Sequence, residues 1–140
     1  MKLDITSFTQ AVGRLEEGLA RYQGEPGDTQ LRDGLIQRFE FTYELAHKML
    51  KRYLEMSAAS PVEVDAMPFQ DLIRTGNEQG LQRGEWSDWR RYREMRGKTS
   101  HTYDEAIALE VVSGIPTFLD EVRFLRDRLA ERLNDAKAAD

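Results

Sequence analysis

The chain contains no cysteine. That excludes a disulfide framework and a thiolate metal site, and it is compatible with a reducing compartment. Histidine is nearly as scarce: His47 and His101 are the two in 140 residues. No apolar run approaches the length of a bilayer-crossing helix, so no membrane span is expected. Period-2 alternation, internal repeats and low-complexity tracts are also missing, which leaves no signal for a sheet. The opening MKLDITSFTQ is too polar for a signal peptide, so a cytoplasmic protein is the expectation.

What is present fits one helical domain. The length suits a single domain with a real core. Hydrophobic residues make up 40% and charged residues 32%, which favours a helix-rich globular chain over a disordered one. The net charge of −5 argues against a general polyanion binder. The charge is uneven, however. Between Arg83 and Lys98 stand six basic residues, Arg83, Arg90, Arg91, Arg93, Arg96 and Lys98, against Glu85, Asp88 and Glu94.

Apolar spacing of three and four marks the helices. Ile5, Phe8, Val12, Leu15, Leu19 and Tyr22 form the first face, and QGEPGD (residues 23–28) breaks it. A second helix is expected from about Thr29 to Met56, with Leu31, Leu35, Phe39, Tyr43, Ala46, Leu50, Tyr53 and Leu54 facing inward. Residues 57–68 read as a connector, with Pro61 and Pro68 at a turn and a helix start. A short helix over Phe69–Glu78 follows, then one from near Ser87. The last helix carries Ile107, Val111, Ile115, Phe118, Val122, Leu125, Leu129 and Leu133, and Pro116 is expected to kink or split it. The economical fold is all-α, an antiparallel four- to five-helix bundle over residues 1–134, with residues 135–140 a frayed tail.

The stretch MRGKTSHTYDEA (residues 95–106) holds the candidate site, Arg96, His101 and Tyr103. Five residues of unbroken helix would set Arg96 and His101 about 140° apart on the cylinder. Gly97 is therefore expected to cap one helix, and Thr102 with Glu105 to start the next as a capping box. That layout would aim backbone N–H groups near His101, where a phosphate is attracted. Arginine with histidine, and no metal ligands, suits phosphodiester cleavage. Histidine moves the proton of a ribose 2′-OH, and arginine stabilises charge on the phosphorus oxygens. One histidine does not easily serve as both acid and base; a symmetric dimer supplies two. On spacing alone, a structural role for His101 in capping or bridging helices stands beside the catalytic one.

Two stretches together, IQRFEFTYELAHKMLKRYLE (residues 36–55) and RGKTSHTYDE (residues 96–105), resemble the nucleotidyltransferase substrate-binding family of the HEPN superfamily, which includes the HepT-type toxins. The resemblance covers about residues 4–132. It implies a helical bundle that forms a homodimer, with a separately encoded minimal nucleotidyltransferase of the MntA type as partner. In toxin members the arginine–histidine pair is a metal-independent ribonuclease site at the dimer interface. The partner silences it by transferring AMP to the motif tyrosine. Arg96 and His101 would then be catalytic and Tyr103 the modified residue, with no cofactor and no metal. The alternative within the same family is a non-catalytic accessory subunit that presents substrate to the nucleotidyltransferase. This chain departs from the pattern at Gly97, where a polar residue is usual, and at His47, where tryptophan is usual.

The remaining candidates have plain readings as well. Arg90, Arg91, Arg93 and Lys98 suit RNA phosphates, the partner's surface, or a solvated helix face. Trp86 and Trp89 suit base stacking, but helical spacing favours packing. His47 reads as half-buried packing. Glu40, Glu44 and Asp71 have no partner arrangement in the sequence that would make them acid catalysts.

Overall fold

A computed structural model describes residues 3–139. Six helices follow in order: α1 Thr6–Gly24, α2 Thr29–Ser57, α3 Pro61–Asp65, α4 Phe69–Glu78, α5 Trp86–Lys98 and α6 Glu105–Ala139. Among the described residues there is no strand. The break after α1 is a turn in which Glu25 N–H donates to the Tyr22 carbonyl and Asp28 N–H to the Glu25 carbonyl. Asp28 then caps α2, its carboxylate accepting from Gln30 N (2.9 Å) and Leu31 N (3.1 Å).

The long helices run antiparallel. Arg38 reaches the carbonyl of Arg14 and Thr42 that of Ala11, so α2 descends along α1. On the other side, Trp89 meets Glu121 and Lys98 meets Glu110, so α5 runs against α6. The expected faces are the buried ones: Phe8, Val12 and Leu15 of α1, Leu35, Phe39 and Leu50 of α2, and Val111, Ile115, Phe118, Val122, Leu125 and Leu129 of α6. At the centre, Phe118 lies edge-on to Phe39 (4.8 Å between ring centroids) and to Tyr92 (5.2 Å).

Two expectations change here. The connector contains a helix of its own, α3, with Pro61 in its first turn and Val64 buried beneath it. Pro116 does not split the last helix. It stays inside one element of 35 residues, because Ile115, Phe118 and Leu119 hold the chain to the core on either side while Pro116 faces solvent. The described helix runs to Ala139; the last residue of the segment expected to fray, position 140, lies outside the described residues. Among the described residues, no helix is long and apolar enough to cross a membrane.

The loop from α4 to α5 decides where α5 begins. Gly80 turns it with a φ of 73°. The Asn77 side chain donates to the carbonyls of Gln82, Arg83 and Gly84. The buried Glu121 carboxylate accepts from Gly84 N–H (3.0 and 3.1 Å) and from Trp89 Nε1 (3.3 Å). Burial pushes the Glu121 carboxyl above its ordinary 4.5, and these hydrogen bonds only partly oppose that. Folding therefore favours the protonated form relative to the unfolded chain. Its contribution is full below pH 4.5 and is lost as pH rises through the raised folded value. Glu121→Gln is expected to flatten this decline of stability with pH. Urea unfolding from pH 4.5 to 7.5 measures it, and an unchanged slope in the variant would disprove the assignment.

Candidate functional site

Arg96 lies in the last turn of α5, and the helix does not end at Gly97. Gly97 and Lys98 continue it, and Thr99–His101 form one turn of 3₁₀ helix. Gly97 is exposed, has no positive φ, and has nothing within 4 Å of the place where a Cβ would stand. It is a helical residue, not a left-handed cap. Gly97→Ala is accordingly expected to stabilise the fold by about 0.5–1 kcal/mol in denaturant titration. A left-handed cap would lose stability instead.

The tightened last turn takes over the role expected of a glycine cap. Thr99 is buried. Its hydroxyl donates to the Arg96 carbonyl (2.7 Å) and accepts from Arg96 Nη1 (3.3 Å). Thr99 thus knots the end of α5 and ties Arg96 to the turn that carries His101. A glycine one helix away sets the placement of α5. A Cβ on Gly114 of α6 would meet Met95 Sδ at 2.5 Å, so α5 lies close against α6 immediately before Arg96.

The start of α6 also differs from expectation. Thr102 and Glu105 do not form a capping box. Thr102 donates back to the Thr99 carbonyl (3.2 Å), and Asp104 is the cap, its carboxylate accepting from Ala106 N (2.9 Å) and Ile107 N (3.3 Å). The helix end expected to draw a phosphate towards His101 is therefore occupied by a carboxylate of the chain itself. Glu105 adds a second acidic group in the first turn.

His101 is exposed at the end of the 3₁₀ turn. Its ring lies edge-on to Tyr103, 6.2 Å between centroids, and Tyr103 is 87% exposed. Tyr43 and Tyr92, by contrast, lie inside the bundle. Burial pushes Tyr43 and Tyr92 up to about 12, so both stay neutral at physiological pH.

Three of the six residues of the basic stretch are ion-paired in three dimensions. Arg96 is held by Glu44 and Glu40 of α2, Lys98 by Glu110 of α6 (2.6 Å), and Arg90 by Glu94 (3.3 Å). The Glu44 hydrogen bond, then the charges of Glu40 and Glu44, raise the Arg96 pKa further. Arg93 lies over the Phe69 ring at 5.7 Å, and Arg91 is exposed on α5. Glu40 and Glu44, which suggested no partner in sequence, thus turn out to be neighbours of the site. Their one-turn spacing on α2 is the signal they carry, and it does not say which cation they face.

The packing readings of the other candidates agree with their surroundings. Trp89 is fully buried. Trp86 is half-buried, edge-on to Phe69 at 5.7 Å. His47 is half-buried on the same Phe69 ring at 4.5 Å, and burial, then Lys51 and Arg93, lower its pKa. Asp71 lies exposed in the first turn of α4. Among the described residues no group of three or more His, Asp or Glu side chains converges on a metal position.

This fold and sequence have known relatives. A curated protein of Haemophilus influenzae named Probable ribonuclease HepT is 44% identical over 99 residues, which span 71% of this chain and 67% of that protein. A solved structure from the same organism was described as the fold of a substrate binding domain of a nucleotidyltransferase. It matches with a TM-score of 0.85 and 35% identity, over 91% of this chain and 99% of that one. The family "Nucleotidyltransferase substrate binding protein like" matches residues 3–131, from before α1 to near the end of α6, and the chain belongs to that family.

Proposed function

We propose that the chain is a HepT-like HEPN ribonuclease that works without metal as a homodimer and is silenced by a separately encoded MntA-type nucleotidyltransferase. The observation that carries this reading is Arg96 in the last turn of α5, tied through Thr99 to the short turn that ends at His101, with the exposed Tyr103 ring against His101. In the reaction, the ribose 2′-oxygen attacks phosphorus and the bond to the 5′-oxygen breaks. His101 of one subunit takes the 2′-OH proton, and the second subunit's histidine returns one to the leaving oxygen. Arg96 stabilises the charge on the non-bridging oxygens. The products are a 2′,3′-cyclic phosphate and a 5′-OH.

Silencing acts at Tyr103. Its phenolic oxygen attacks the α-phosphorus of ATP and expels pyrophosphate. The AMP then places negative charge and bulk beside the phosphate site. Arg90, Arg91 and Arg93, along the same helix as Arg96, serve as contacts for RNA or the partner, with Lys98 at its end.

A second reading is supported by a specific observation. Arg96 is occupied by Glu44 and Glu40, and position 97 lacks a polar side chain. Both suit a non-catalytic subunit that binds substrate for the nucleotidyltransferase. Expression alone and incubation with RNA in EDTA separate the two. The ribonuclease arrests growth and leaves cyclic phosphate ends, whereas harmless expression with intact RNA hands the function to the accessory reading. Intact-mass measurement after mixing with the partner and ATP is expected to show AMP on the wild type and none on Tyr103→Phe.

A further inference from the structure

Each nitrogen of the Arg96 guanidinium faces an acceptor within the chain. Nε donates to Glu44 Oε1 at 3.1 Å, and Nη2 meets the same oxygen. Glu40 Oε1 lies 3.5 Å from Nη2, and Nη1 donates to Thr99 Oγ1 at 3.3 Å. A guanidinium takes a phosphate two-pronged along one of its edges. Glu44 fills the Nε–Nη2 edge, while Thr99 and Glu40 share the other. Two carboxylates around one cation leave the cluster negative, and the Asp104 carboxylate closes the nearby end of α6.

The clamp has the marks of something built to open. The Arg96 side chain is 32% exposed, Glu40 40% and Glu44 55%. Solvent-exposed pairs of this kind add little to stability. The α2–α5 contact does not depend on them, because Tyr43 and Trp89 pack within the core 6.4 Å apart. The carboxylates therefore contribute little as a fastening, yet they occupy the edges that a phosphate needs.

We propose that Glu44 and Glu40 are an intramolecular stand-in for the RNA phosphodiester, holding the Arg96 fork in the free protein and giving it up when the scissile phosphate binds. This rests on the ribonuclease reading and adds regulation to the same site. The two glutamates set how tightly substrate must bind, and they take no part in bond making. An α2 shift or a partner that draws Glu44 away would expose Arg96 without altering the motif itself.

The test uses the full-length protein and a 2′-O-methyl oligoribonucleotide, which binds but is not cleaved. Glu44→Gln and Glu40→Gln are each expected to tighten binding about fivefold at low salt, the effect of one charge near 4 Å in water. The gain should shrink as salt rises. On cleavable RNA the variants lower KM and keep kcat. The gain should vanish in an Arg96→Ala background, as coupling through Arg96 requires. Glu17→Gln, a distant exposed carboxylate on α1, controls for charge alone. Unchanged or weaker binding, a fallen kcat, or a gain that survives Arg96→Ala overturns the proposal.

A readout that needs no RNA keeps the two ideas apart. Phenylglyoxal labelling of Arg96, followed by peptide mass mapping, is expected to be several-fold faster in the double variant. Equal labelling sinks the clamp. Faster labelling with no RNA binding by any variant leaves the clamp standing and removes the ribonuclease reading.

Discussion

His101→Ala is expected to lower RNA cleavage about 100- to 10,000-fold, the usual contribution of a positioned acid–base group. The loss should fall on kcat, with RNA binding nearly unchanged, because in the proposed reaction the imidazole moves a proton and does not hold the phosphate. The fold should not suffer. His101 is exposed, and its backbone carbonyl, which accepts from Asp104 N–H at 3.1 Å, survives the substitution. Arg96→Ala should cost a comparable factor but act on both KM and kcat, since in the proposed reaction the guanidinium meets the phosphate before and during bond breaking. Arg96→Lys should not restore activity, because an ammonium lacks the planar fork. Initial rates on a defined RNA in EDTA, with thermal melts of each variant, check these outcomes. A His101→Ala protein that cleaves at the wild-type rate would remove the catalytic assignment.

Phe118→Ala should be the most damaging single change to the fold, costing about 3–5 kcal/mol as a buried aromatic truncation. Phe118 is fully buried, and its ring meets Phe39 and Tyr43 of α2 and Trp89 and Tyr92 of α5. It is the point where α6 holds the two helices that carry Glu44 and Arg96. The midpoint of thermal unfolding should fall by roughly 10–20 °C for a chain of this size. Denaturant titration gives the free energy directly. Phe118→Leu, which keeps much of the volume, should recover a large part of the loss. A loss under 1 kcal/mol for the alanine variant would contradict the packing described.

Much of the bundle was readable along the chain. The faces of α1, α2 and α6 appear as apolar residues three and four apart, and these residues are buried except near the helix ends, where Ile5, Leu31, Tyr53, Ile107 and Leu133 are partly exposed. The bounds of α4 follow from Pro68 before it and the glycines after it. The short α3 was not readable, since five residues carry too little periodicity and only Val64 is buried. Pro116 does not split α6 for a related reason: the local rule allows a kink or a split, and the packing of Ile115, Phe118 and Leu119 keeps one element.

The candidate site divides along the same line. Arg96, His101 and Tyr103 lie within eight residues, so their types and spacing were visible together. The hinge between them was misread at both ends. Thr99 and Asp104 do what Gly97 and the Thr102–Glu105 pair were expected to do. Several short polar residues in one stretch offer competing caps, and only the geometry selects among them.

By itself, the sequence determined the helical class, the faces that build the core and the three motif residues. These depend on intervals of three to five positions, which a linear chain displays directly. The tertiary structure decided the electrostatic state of the site. Glu44 stands 52 residues from Arg96, and the contact exists because α2 and α5 pack beside each other. A stretch that reads as basic along the chain is therefore partly neutralised in space, at Arg96 and Lys98. Charge pairing depends on distance through the fold, and separation along the chain does not reveal it.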